Sequence, residues 1–303
     1  MRARTRGFFV TACCAFVLIA ATAGCTVTIP APVDSSPASP VLEGRQLNTV
    51  ILGDSFAAGR GDGPYNPGVI DFCTQSPQSW GEKLVRKLHE TDHVTGSLVN
   101  MSCNGDTTYD VLSYQLRAVD AQTDLVLLQI GGNDIGIDQI FLSCFLGCDT
   151  AAELRSAQRR LPGIFKRLGR IIDSIHTVAP NATVLVTDYP DLVGDPATWN
   201  DGKCLGFITP EMGTALRSMV ADGSRMYASL TRNFNVTFVS GRAVIAGHIW
   251  CDTDASWITG LTHYESDGRR RDLWSIFAFH PLDQAHQAIA TEARQQLIRY
   301  FGE

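Results

Sequence analysis

Along the chain, short continuous apolar runs alternate with longer stretches in which apolar positions recur every three to four residues. This is the signature of strands and amphipathic helices taken in turn. The runs are Asn48–Leu52, Ser97–Met101, Asp124–Ile130, Thr183–Thr187 and Val236–Val239. Asp124–Ile130 (DLVLLQI) is apolar enough to be buried on both faces of a parallel sheet. Between the runs, Ser79–His89 places Trp80, Leu84, Val85 and Leu88 on one helical face. Further helices are predicted over Thr108–Val119, Thr150–Val178, Glu211–Arg232 and Asp283–Phe301. The longest opens with Thr150 and Glu153 as a capping box, and Pro162-Gly163 is expected to kink it. Strands separated by helices imply βαβ units with right-handed crossovers, hence a three-layer α/β/α sandwich on a parallel five-stranded sheet. Functional groups then belong on the loops at the carboxyl ends of the strands. No internal repeat interrupts Gln46–Glu303, which reads as one domain.

Those loops carry the chemistry. The first strand runs into Gly53-Asp54-Ser55, which exposes a serine at a strand end. On its own this is a common turn, and Ala57 excludes the G-x-S-x-G elbow. After the second strand stands Asn104-Gly105-Asp106, where a glycine can offer its backbone N–H at close range. The third strand ends in Gly131-Gly132-Asn133-Asp134, whose asparagine can aim an amide N–H at a developing oxyanion. Phe279-His280-Pro281 precedes the last helix, with His280 as a candidate base. Each motif alone is also a plain turn or a loop histidine; the order and the strand positions give the set its weight.

Ser55, Gly105, Asn133 and His280 in this order resemble the four motif blocks of the SGNH (GDSL-type) hydrolases, over essentially Asn48 to Arg299. Ala179-Pro180-Asn181-Ala182, the strand ending at Tyr189-Pro190, and His286 with Ile289-Ala290 agree with the same family. The resemblance implies a flavodoxin-like sheet and acyl transfer to Ser55, with His280 as base. It also implies an oxyanion hole of the Ser55 and Gly105 N–H groups and the Asn133 amide, with no cofactor or metal. One departure stands out: the family usually places Asp three residues before the histidine, and this chain has Phe277. Some actinomycete relatives hold the ring with a main-chain carbonyl, a role Phe277 can fill; Glu265, Asp267 and Asp272 are side-chain alternatives. Asp283-x-x-His286 fits the D-x-x-H pattern but lies inside the last predicted helix, so His286 is read as a decoy.

The N-terminus changes the cellular setting. Arg2, Arg4 and Arg6 precede an uncharged, largely apolar stretch to Gly24, the form of a signal peptide over residues 1–24. Thr22-Ala23-Gly24-Cys25 resembles a bacterial lipobox with Cys25 as the lipidated residue; cleavage after Ala23 and an uncleaved anchor are the alternatives. Residues 25–45, with Pro30, Pro32, Pro37 and Pro40 among small polar residues, read as a lipidated cysteine and a tether.

Cysteine parity favours this scheme. Of nine cysteines, Cys13 and Cys14 leave with the signal, and lipidation of Cys25 leaves an even six. Spacing alone allows fifteen pairings of six cysteines. The resemblance to extracellular actinomycete lipases implies the sequential one: Cys73–Cys103, Cys144–Cys148 and Cys204–Cys251. The formal charge of −6 becomes −9 without residues 1–24, which argues against nucleic acid as partner. The 21 Arg against 4 Lys reflect genome composition rather than a binding face.

The expectation is therefore an exported, membrane-anchored, monomeric serine ester hydrolase acting on a lipid or other carboxylic ester. Phospholipase A, carbohydrate O-acetyl esterase and a catalytically degenerate surface binding lipoprotein are the alternatives. Apolar Phe141, Leu142, Phe145 and Leu146 are candidates for an acyl site or for loop packing. A phosphodiesterase is disfavoured because no dense His/Asp cluster is present in the sequence.

Overall fold

The computed structural model describes residues 37–66, 72–137, 139–140, 143, 147–199, 208–252, 256–260, 263–264, 270–271 and 279–303. Strands β1 (Thr49–Gly53), β2 (Leu98–Asn100), β3 (Leu125–Gln129), β4 (Thr183–Thr187) and β5 (Thr237–Val239) form one sheet in the order β2-β1-β3-β4-β5. All four pairings are parallel, as the βαβ reading requires. β1, β3 and β4 are buried along their whole length, whereas β2, at the edge, is half-exposed.

Alternation along the buried strands divides the core in two. Ile51, Leu125, Leu127 and Leu185 face helices α2 (Trp80–Asp92) and α8 (Asp283–Gly302), packing on Trp80, Leu84, Leu88, Ile289 and Leu297. Val50, Leu52, Val126, Leu128, Val184 and Val186 face the other side. There they meet α3 (Thr108–Ser113), α5 (Thr150–Val178) and α6 (Pro210–Asn233) through Val111, Ile164, Leu168, Ile171, Ile172 and Leu230. The sandwich thus follows from a period of two in the strands and 3.6 in the helices.

A third apolar cluster joins Ala157 of α5, Met212, Leu216 and Met219 of α6, Leu192 and Val193 after β4, and Phe279. It anchors the residue directly before His280. Short helices α1 (Ser55–Ala58), α4 (Gly132–Ile135) and α7 (Gly241–Val244) follow β1, β3 and β5, and a two-residue antiparallel pair links β6 (His263–Tyr264) to β7 (Arg270–Arg271).

Three sequence expectations change. The helix expected over Thr108–Val119 is α-helical only to Ser113 and continues as a 3-10 turn, Gln115–Ala118. The cap of α5 is Asp149, whose side chain accepts from Ala152 N; Glu153, expected in a capping box with Thr150, instead accepts from Ser143 Oγ at 2.9 Å. Finally, Pro37–Arg45, expected as tether, packs onto the domain. Leu42 is fully buried in the first core, and Ser39 N donates to Asp92 Oδ1 at 2.8 Å. One leucine among prolines and serines leaves no periodic signal, so composition alone placed the boundary too late.

Candidate active site

Ser55, Gly105, Asn133 and His280 lie on turns or short helices at the carboxyl edge of the sheet or on the segment before α8. Asp54 is the N-cap of α1, its Oδ1 accepting from Phe56 N at 3.0 Å, and this puts Ser55 in the first turn. Gly53 makes the approach possible, because a Cβ there would stand 2.2 Å from Gln129 O and 2.5 Å from Ala57 Cβ. Ser55 Oγ is hydrogen-bonded to His280 Nε2 at 2.8 Å, across 225 residues of chain.

The His280 segment is pinned by backbone pairing. Phe279 N donates to Thr259 O (2.9 Å), Thr259 N to His280 O (2.8 Å), and His280 N to Thr259 Oγ1 (2.8 Å). Phe279 adopts a positive φ of 60°. The Phe56 ring lies 5.0 Å from the imidazole, and a Cβ on Gly61 would come within 2.9 Å of His280 Cβ. Backbone pairing thus holds the segment, and Phe56 and Ser55 meet the ring itself. Phe277, Glu265, Asp267 and Asp272 lie outside the described residues.

Gly105 and Asn133 sit on the turns after the neighbouring strands β2 and β3, on either side of β1. Asn133 Nδ2 donates to Asp106 O at 2.8 Å, which fixes the amide plane and leaves its second N–H available. Asp134 ties the same two turns together: it accepts from Thr108 N (2.9 Å) and pairs with Arg167 Nη2 (2.8 Å), with its side chain almost fully buried. Asp106 itself accepts from Tyr114 Oη and Gln115 Nε2. Buried Gln115 also brackets Gly53, donating to its carbonyl and accepting from its N–H. Sequence reasoning missed Gln115 because a lone glutamine in a helical stretch carries no pattern.

Electrostatics beside Ser55 are unusual. Burial pushes the Asp54 carboxyl up from 3.8 to about 7, against the lowering bonds from Tyr189 and Phe56 N, with the Asp134 and Asp106 charges adding to the rise. Asp106 is likewise raised, by burial first. His286, the D-x-x-H decoy, is fully buried in α8; its Nδ1 accepts from Trp80 N at 3.2 Å, and burial lowers it to about 3. It is part of the packing between α2 and α8.

The Cys73–Cys103 disulfide is present and ties the chain after the first block to the end of β2. Cys148 and Cys251 are each disulfide-bonded. Their expected partners, Cys144 and Cys204, lie outside the described residues, as do Cys25, Phe141, Leu142, Phe145 and Leu146. Among the described residues no cluster of three or more His, Cys, Asp or Glu could hold a metal, and no helix is long and apolar enough to cross a membrane.

Fold and constellation together define the class, an α/β/α ester hydrolase. Residues 51–288 match the GDSL-like Lipase/Acylhydrolase family, and the chain belongs to it as a hydrolase of the lipase and esterase type. A lipase of Streptomyces rimosus is 30% identical over 220 residues, covering 70% of this chain and 76% of that protein. Lipase 1 of Streptomyces coelicolor is 29% identical over 215 residues, 69% of this chain and 74% of the relative. The crystal structure of the S. rimosus extracellular lipase superposes with a TM-score of 0.69 at 25% identity, over 82% of this chain and 99% of that one. A Streptomyces albidoflavus phospholipase A1 shares the fold, with a TM-score of 0.68 at 23% identity over 82% and 98% of the two chains.

Proposed function

We propose that the protein is an exported serine esterase that cleaves carboxylic esters of lipids through an acyl-Ser55 intermediate. The observation that carries this reading is the 2.8 Å Ser55 Oγ–His280 Nε2 hydrogen bond, set beside an Asn133 amide oriented by Asp106 O. His280 takes the Ser55 proton as Oγ adds to the ester carbonyl. The oxyanion is received by the N–H groups of Ser55 and Gly105 and by Asn133 Nδ2. His280 then protonates the leaving alkoxide, and water, deprotonated by the same imidazole, releases the acid. The main-chain carbonyl of Phe277 is assigned to Nδ1–H of His280, fixing the tautomer without a full charge.

Similarity to the Streptomyces lipases supports a lipid ester as substrate and export as the route. The basic, then apolar, N-terminus and the Cys25 lipobox support a surface-anchored lipoprotein. The test is a fluorophosphonate probe together with p-nitrophenyl esters of increasing chain length, phospholipids and acetylated sugars. Labelling at Ser55, lost in Ser55→Ala and His280→Ala, with turnover rising toward longer acyl chains, is expected. A folded protein that neither labels nor hydrolyses any ester would overturn the reading and favour a binding role. For anchoring, Cys25→Ala should abolish acyl labelling and release the protein into the medium.

A further inference from the structure

The loop after β4 contributes a residue that the catalytic reading leaves unused. Tyr189, two residues past the end of β4, is half-buried, and its hydroxyl stands between the two functional turns. Tyr189 Oη donates to Asp54 Oδ2, immediately before Ser55, and accepts from Gly132 N at 3.0 Å, immediately before Asn133. Its ring also meets that of Phe56 edge-on at 5.0 Å, and Phe56 in turn lies against His280. The Gly131-Gly132 pair is explained by this packing. A Cβ on Gly132 would come within 3.1 Å of Tyr189 Cε1, and one on Gly131 within 2.8 Å of Tyr227 Oη.

We infer that Tyr189 is a positioning residue, whose single hydroxyl fixes the nucleophile turn at Asp54-Ser55 relative to the oxyanion turn at Gly132-Asn133. This rests on the roles proposed for Ser55 and Asn133. The hydroxyl is suited to the task because it acts as donor to one turn and acceptor from the other, so either turn shifting would break a hydrogen bond. β1 and β3 are neighbours and hold their own ends in register, the last backbone hydrogen bond between them running from Asp54 N to Gln129 O at 3.1 Å. Beyond it the two turns are joined through side chains, and Tyr189 is the link that reaches the residue before each reacting group. Misplacing reacting groups by about 1 Å can cost on the order of 10²-fold in rate, so the expected effect falls on kcat rather than on substrate affinity.

The test is Tyr189→Phe, which removes one oxygen and keeps the ring packing. Rates are normalised to sites titrated with the fluorophosphonate probe, so that misfolded protein does not count. A fall in kcat of at least fivefold with KM within twofold is expected. A smaller fall, or one confined to KM, overturns the inference. Tyr227→Phe is the control: that hydroxyl bonds Ile130 O and packs on Gly131 without reaching Asp54. It should lower Tm while keeping titrated kcat, and an equal loss there would reduce Tyr189 to general packing. Should Tyr189→Phe fail to fold, Asp54→Ser serves instead, since one short hydroxyl can cap Phe56 N–H but cannot also meet Tyr189. The same kcat loss is then expected, and an unchanged kcat overturns the inference. An inactive, unlabelled wild type would remove the Ser55 reading itself, whereas an active wild type with an unaffected Tyr189→Phe removes only this one.

Discussion

Asn133 illustrates how much of this site depends on single atoms. One N–H of its amide is held by Asp106 O at 2.8 Å, so that in the oxyanion role proposed above the other is oriented before any substrate arrives. A preorganised donor of this kind is typically worth about 10²–10³ in turnover. Asn133→Ala should therefore lose about that much kcat while its Tm stays near wild type, because the side chain is only half-buried; steady-state kinetics beside a melting curve checks both. His286 makes the opposite prediction. Its imidazole is buried neutral, with Trp80 N–H on Nδ1 and no hydrogen-bond partner for Nε2 among the described residues. Burial lowers its pKa from 6.5 to about 3, with the Lys83 and His280 charges contributing. Between those values the unfolded chain binds a proton that the folded chain refuses, so stability is lost as pH falls from 6.5 toward 3. Asp54 and Asp62, both raised by burial from 3.8 to about 7, act in the reverse sense over pH 4–7. His286→Asn keeps an acceptor for Trp80 N–H and should move the midpoint of acid unfolding to lower pH, with esterase activity at pH 7 retained.

Elements position these atoms because loops on adjacent parallel strands emerge side by side. Cys103 N donates to Gly53 O at 3.1 Å, continuing the β1–β2 pairing up to the turn that carries Gly105. The Cys73–Cys103 bridge then ties the chain after α1 to the same turn, over a sequence separation of 30. Closing a loop of that size contributes about 3–4 kcal/mol in the chain-entropy account. The double Cys73→Ser, Cys103→Ser variant should lose about that much stability by urea titration, and its kcat should fall because the Gly105 turn is less constrained. The long helices act at greater range. α5 buries Ile164 to Ile175 against the sheet and supplies Arg167, which pairs with Asp134 beside Asn133. Packing and site geometry are thus carried by the same helix.

Across the whole molecule, a buried ion pair closes the fold at its start. Arg294 of α8 meets Asp92 at the end of α2 through Nε (2.8 Å) and Nη2 (2.6 Å), both residues wholly buried. Ser39 N donates to the same carboxylate, and Pro37 O accepts from Arg294 Nη2 at 2.8 Å. The pair therefore straps the segment before β1 onto the two helices that cover one face of the sheet. Breaking a buried pair by removing one partner typically costs about 3–5 kcal/mol, whereas replacing both with apolar residues is often near neutral. Arg294→Leu should destabilise by about that amount in urea, and Asp92→Leu with Arg294→Leu should recover a large part of it. Deleting residues up to Arg45 should also cost stability, since it removes fully buried Leu42 along with the strap.

The sequence by itself determined the layer architecture, because strand and helix periods are local properties of the chain. β4 and α5 begin and end where the pattern puts them, and the remaining strands differ at their ends by at most one residue. It also determined which residue types stand at the strand ends, since a turn motif follows directly after each apolar run. Tertiary structure decided what those residues do to one another. The Ser55–His280 bond spans 225 residues, and the Asp54–Tyr189–Gly132 link joins three loops; no periodicity encodes such meetings. The sequence had already set His286 aside as a helical decoy; the tertiary structure added the reason, burying it against Trp80 N while His280 meets Ser55. Leu42 and Gln115 gain their meaning in the same way, from partners far along the chain that only packing of the sheet against its helices brings into contact.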